Sequence, residues 1–130
     1  MSSFLRSRIQ SFRHAFAGWW YVIRTQRNAW IHALASMLVI VLSLWLRLPT
    51  RDWALIIFAI ALVWTAEFLN TALEAVMDMA SPQKHPLARV GKDVGATAVL
   101  ISAGSAALIG LLILGPPLLQ KTTEWIRNLL

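Results

Sequence analysis

The chain has 130 residues, of which 58% are hydrophobic and 14% charged, whereas a soluble domain carries roughly a quarter charged residues. Lys and Arg number 12 against 6 Asp and Glu, a net charge of +6, and the absence of cysteine excludes a disulfide framework and a thiolate metal site. A single domain this apolar has too little polar surface to face water, so it reads as an integral membrane protein, with its positive charge bordering anionic lipid rather than nucleic acid.

The opening stretch "MSSFLRSRIQSFRHAF" has no uninterrupted apolar core and is not expected to be a signal peptide. Phe12, Phe16, Trp19, Trp20 and Ile23 recur at helical spacing, with Gln10, Arg13 and Arg24 off that stripe. Residues 1–30 are therefore expected to form an amphipathic helix lying in the membrane interface. Three apolar stretches follow, Ala33 to Leu46, Trp53 to Leu69 and Val94 to Leu114. Each approaches the roughly 20 residues needed to span a bilayer, with His32 and Arg47 expected to snorkel from the ends of the first. The expected fold is all-α, with three transmembrane helices over residues 31–115. Small residues at Gly91, Gly95, Ala98, Ser102, Ala106 and Gly110 suit close helix packing in lipid. Pro116 and Pro117 are expected to end the third span, leaving residues 116–130 as a tail at the external interface.

Acidic and amide residues cluster in "AEFLNTALEAVMD", residues 66–78, at the inner end of the second span. At helical spacing Glu67, Asn70, Thr71, Glu74 and Asp78 share an arc of about 100°. If Trp53 marks the outer interface, Glu67 lies about 21 Å and Glu74 about 31 Å further in. Glu67 is then still within the roughly 30 Å of hydrocarbon, while Glu74 reaches water. A charged group at lipid depth is a candidate for function by default. A carboxylate there suits a general base, and one at the water boundary suits a hard cation such as Mg²⁺. The next loop, "SPQKHPLARVGKD", adds Lys84, His85, Arg89, Lys92 and Asp93, whose cations suit phosphates. Together they are the equipment for moving a phosphoryl group onto a membrane alcohol. A proton-coupled transporter is the competing reading, but three spans are few and no internal repeat is present.

The motif "AEFLNTALEAVMD" followed by "HPLARVGKDVGATAVLISA" resembles the prokaryotic diacylglycerol kinase family, which includes undecaprenol kinases. "SFRHAFAGWWYVIRTQRNAWIH" resembles the surface helix of that family and its entry into the first span, most closely in the undecaprenol kinase branch. The resemblance implies a homotrimer of three-span subunits in a bacterial inner (plasma) membrane, using ATP and Mg²⁺ to phosphorylate a lipid alcohol, undecaprenol ahead of diacylglycerol. It implies that Glu67 is the base and that Asn70 orients the reacting groups. Glu74 and the residue at position 26 would hold the metal. Gln83, Lys84, His85, Lys92, Asp93 and Asp78 would hold the nucleotide, and Glu67, Ala96 and Trp45 would meet the lipid. The resemblance fails at Gln26: relatives read T-E-R-N where this chain reads "TQRN", and a neutral glutamine oxygen lacks the charge that Mg²⁺ favours. Two readings stay open, an active kinase and a weak or inactive member that binds lipid or nucleotide.

Basic residues set the orientation. Arg6, Arg8, Arg13, Arg24, Arg27, Lys84, Arg89 and Lys92 fall on one side of a three-span chain, and Arg47, Arg51, Lys121 and Arg127 on the other. The N-terminus is expected to be cytoplasmic. Single cysteines at Ser2 and Asn128 should then label from opposite faces of sealed vesicles, and labelling of both from one face contradicts three spans.

Overall fold

A computed structural model describes residues 3–80 and 85–129. Its four helices in chain order are α1 (Ser3–Thr25), α2 (Arg27–Leu46), α3 (Thr50–Ala80) and α4 (Pro86–Leu129). In lipid the backbone must satisfy its own hydrogen bonds, and helices do this within a single segment. Three of the four, α2, α3 and α4, are long and apolar enough to cross a membrane. With 31 and 44 residues, α3 and α4 measure about 46 and 66 Å, so both outrun a hydrocarbon layer of about 30 Å.

A single residue separates α1 from α2. Gln26 is extended (φ −102°, ψ 117°), its N–H still bonds Val22 O at 2.9 Å, and its side chain caps nothing. At the opposite end of α2, Arg47 takes the left-handed conformation (φ 56°, ψ 50°). Its N–H donates to Leu44 O and that of Leu48 donates to Ser43 O, which satisfies the last carbonyls of the helix and turns the chain toward α3.

The buried stripe of α3 is Ile56, Ala59, Val63, Glu67 and Thr71, spaced three or four residues apart. This helix packs chiefly against α4, with α2 and α1 completing its surroundings. On α4, Gly95 lies against α3 so closely that a Cβ there would collide with the Asn70 side-chain oxygen and come 3.1 Å from Leu73 Cδ2. The expected packing role of small residues is met at this position and at Gly91, which abuts Met77, whereas Gly110 has open space beside it. The Val22–Ile23–Ala29 cluster ties the end of α1 to the start of α2, with Trp64 and Phe68 of α3 packed on it.

Two expectations are corrected. The helix does not stop at Pro116 and Pro117 but carries both inside α4. The prolines remove the N–H partners of the Leu112 and Ile113 carbonyls, and helical structure resumes because every other backbone group there still gains from it. Lys121 then fastens the outer part of α4 to the end of α2, donating to Trp45 O at 2.9 Å and lying 4.3 Å from the Trp45 ring centre. His32 does not snorkel: it turns inward toward α3.

Most large apolar side chains of the spans face outward, among them Leu34, Leu100, Leu108 and Leu112. That suits a lipid solvent, in which apolar exposure carries no penalty. Gly95→Val should loosen the α3–α4 contact and cost about 1–3 kcal/mol, the usual range for overpacking. Gly104→Ala should not lower stability, since an added Cβ there meets nothing within 4 Å. Thermal unfolding of both variants in one detergent checks this, and equal melting temperatures would contradict the contact.

Candidate functional site

The polar residues of α3 grade from buried to exposed along one face. Glu67 is 1% exposed, Asn70 and Glu74 are half-buried and Asp78 is exposed. Helical spacing places Glu67 and Glu74 about 10 Å apart along the axis, and Asp78 about 6 Å beyond. The structure thus brings a buried carboxylate and a half-buried one onto one surface.

The Glu74 carboxylate is held between two amides. Gln26 Nε2 donates to Oε2 at 3.1 Å, and Asn70 Nδ2 donates to Oε1 at 3.1 Å. The extended break at Gln26 is what frees that side chain to cross from the α1–α2 junction to α3. Asn70 Oδ1 is buried without a hydrogen-bond partner, directly over Gly95. On the lipid side of Asn70, an apolar groove of about 360 Å³ runs between α3 and α4, with Leu62, Ala66, Leu69 and Val94 in its walls.

One carboxylate flanked by two amides is an all-oxygen donor set once the amide carbonyls are counted, as a hard cation requires. Among the described residues no three His, Asp or Glu side chains converge into a metal cage. The set therefore fits Mg²⁺ that keeps waters and shares substrate phosphates, rather than a cation enclosed wholly by protein.

Glu67 faces His32 of α2, with Nε2 and Oε2 3.7 Å apart and neither atom hydrogen-bonded. The His32 ring meets Trp64 edge-on at 6.5 Å. Trp64 donates to Ser36 Oγ at 3.2 Å and stacks on Trp19 of α1 at 6.5 Å, with Phe68 at 6.0 Å. These rings wall Glu67 off on the α1–α2 side. The sequence reading did not assign His32, Ser36 or Trp64 to the site. The signal was available: Ala29, His32, Ser36 and Ser43 repeat at helical spacing, and a face of small and polar residues on an apolar helix marks its buried side.

Beyond Glu74 the cations of α4 begin. Lys92 forms a 2.5 Å ion pair with Asp78. His85, Arg89 and Lys92 line a groove of about 490 Å³ with Asp78 and Met77. His85 Nδ1 accepts from the Leu87 N–H at 3.2 Å, at the start of α4. Asp93 is exposed and 3.9 Å from Arg89. Gln83 and Lys84 lie outside the described residues. Neither Ala96 nor Trp45 joins this cluster. Ala96 is exposed, one residue round the helix from Gly95, and Trp45 sits at the far end of α2, about 20 Å along the axis from His32.

Comparison with known proteins shows the family of the chain. Residues 13–114 match the family described as prokaryotic diacylglycerol kinase. The chain is 38% identical over 109 residues to the undecaprenol kinase of Bacillus subtilis, an alignment covering 84% of this chain and 89% of the relative. It is 43% identical over 111 residues to a diacylglycerol kinase of Synechocystis, covering 85% of this chain and 63% of that protein. It is 36% identical over 83 residues to the diacylglycerol kinase of Escherichia coli K12, covering 58% and 68% respectively. The chain belongs to the prokaryotic diacylglycerol kinase family of membrane lipid kinases.

Proposed function

We propose that the chain transfers the γ-phosphoryl group of ATP, with Mg²⁺, to the hydroxyl of a membrane lipid, with undecaprenol the favoured acceptor and diacylglycerol second. The observation that carries this reading is the burial series along α3, a sealed Glu67 leading through Asn70 to a boundary Glu74 and then to the basic groove of α4. A lipid hydroxyl reaches the site from the membrane and a nucleotide from water, so a lipid kinase needs an apolar end and a cationic end on one surface. The undecaprenol kinase relative aligns over 89% of its length at 38% identity and the Synechocystis diacylglycerol kinase over 63% at 43%, so kinases of both acceptors stand among the relatives.

In this reading Glu67 takes the proton of the lipid hydroxyl as the oxygen bonds to the γ-phosphorus and the bond to the β-phosphate bridging oxygen breaks. The wall of Trp19, Trp64 and Phe68 keeps water from competing for the phosphoryl group. Asn70 fixes Glu74 through its amide nitrogen, with its oxygen packed over Gly95. Lys92 and Arg89 carry positive charge to the phosphates, His85 lines the same groove, and Asp78 and Asp93 hold the two cations in place. Gln83 and Lys84 belong to the same nucleotide set on sequence grounds. Mg²⁺, when bound, supplies neutralising charge at the phosphates, and Glu74 with the Gln26 and Asn70 amides would hold it. The active form is a homotrimer in a bacterial inner membrane with its N-terminus cytoplasmic. A polar face on a three-span chain needs protein on its open side, and other copies of the chain would supply it.

Glu67→Gln should lower turnover about 10²–10⁴-fold, the usual loss for one positioned acid–base group, while ATP binding stays unchanged. Wild-type turnover in this variant would remove Glu67 from the chemistry.

A second reading, a weak or inactive family member, is favoured by one contact: Gln26 presents an amide to Glu74 where an anionic ligand is expected. Gln26→Glu sets two carboxylates side by side, a repulsion that a cation relieves. Its melting temperature should fall without Mg²⁺ and recover with it, and less Mg²⁺ should be needed for half-maximal turnover than in the native chain. Identical magnesium curves would show that position 26 does not touch the metal, and absence of turnover in both forms would favour the inactive reading.

A further inference from the structure

The facing of His32 and Glu67 has no part in the transfer as set out above. Two buried polar atoms, His32 Nε2 and Glu67 Oε2, point at each other across 3.7 Å, and neither has another partner. The imidazole is fixed there by the edge of Trp64, itself pinned to Ser36 of the same helix as His32. It is a placed group, not a solvated side chain turned inward at random.

A base in a sealed site has to discharge its proton after every transfer. The Glu67 side chain is 2% exposed and that of His32 13%, so the more open member of the pair is the imidazole. Among the described residues the ionisable groups acting on Glu67 are His32 of α2 and Glu74 of α3. Glu74 is a second acid with both oxygens already accepting hydrogen bonds. Only His32 offers a nitrogen lone pair.

We infer that His32 is the positioning residue of the Glu67 base: its Nε2 takes from the Glu67 carboxyl the proton that came from the lipid hydroxyl, and the imidazolium so formed holds the restored carboxylate across the Nε2–Oε2 contact, a role that rests on Glu67 being the base. The proton leaves the lipid oxygen for a Glu67 oxygen as the phosphorus–oxygen bond forms. It then passes to His32 Nε2, which restores the carboxylate and leaves an imidazolium that releases the proton to water. No oxidant or further reactant enters, and atoms and charge balance over the cycle.

The test uses the full chain in lipid bilayers with ATP, Mg²⁺ and a lipid alcohol. His32→Ala should lower kcat by about tenfold or more, toward the range for losing an acid–base group, with KM for ATP unchanged. Added imidazole should restore part of that loss. His32→Gln keeps a polar side chain but has no basic nitrogen, so it should be equally slow and insensitive to imidazole, and it decides the matter if the alanine variant fails to fold. Wild-type kcat in His32→Gln would overturn the role. So would an alanine variant that folds, is slow and gains nothing from imidazole, since packing alone then explains its loss. Glu67→Gln run alongside separates the two levels. If it is inactive while the His32 variants are normal, only the role of His32 falls, whereas full activity in Glu67→Gln removes the base itself.

Discussion

Glu67 Oε2 and His32 Nε2 are buried together with no hydrogen-bond partner, between helices whose surfaces are mostly apolar. A buried polar atom left unsatisfied costs about 1–3 kcal/mol, and a charged one more. Apolar residues at both positions would avoid that cost, so the pair has no packing rationale of its own. Several neighbouring features serve to hold it. The ring wall of Trp19, Trp64 and Phe68 needs α1 to fold back against α3, and the Val22–Ile23–Ala29 cluster provides that. The close approach of α4 needs Gly95, because a side chain there would displace Asn70 from Glu74.

The single extended residue between α1 and α2 links this fold to the metal question. A continuous helix through Gln26 would carry its side chain away along a straight axis. The break lets α1 change direction and pack on α3 while Gln26 remains near Glu74. Position 26 therefore lies beside Glu74, and its amide contact with that carboxylate is the point where this chain departs from the pattern the resemblance implies.

The helices, their order and the shared polar face of α3 were legible in the sequence because each rests on a local rule. Apolar length gives a span, and helical spacing gathers Glu67, Asn70, Glu74 and Asp78 on one face. What was not legible depends on contacts between helices. His32 sits at the edge of an apolar run, where snorkelling is a reasonable local expectation, and only the packing of α2 on α3 turns it inward. Pro116 and Pro117 read locally as a stop, yet α4 continues, anchored by Lys121 to Trp45 some 76 residues earlier in the chain.

The central claim is that one surface of α3 joins a lipid hydroxyl to a nucleotide. Incubation of the purified chain with γ-labelled ATP, Mg²⁺ and either undecaprenol or diacylglycerol tests it most directly. Label should appear in an extractable lipid phosphate, faster with undecaprenol, and only with Mg²⁺ present. Label released as inorganic phosphate alone, or no transfer to either lipid while ATP is bound, would contradict it.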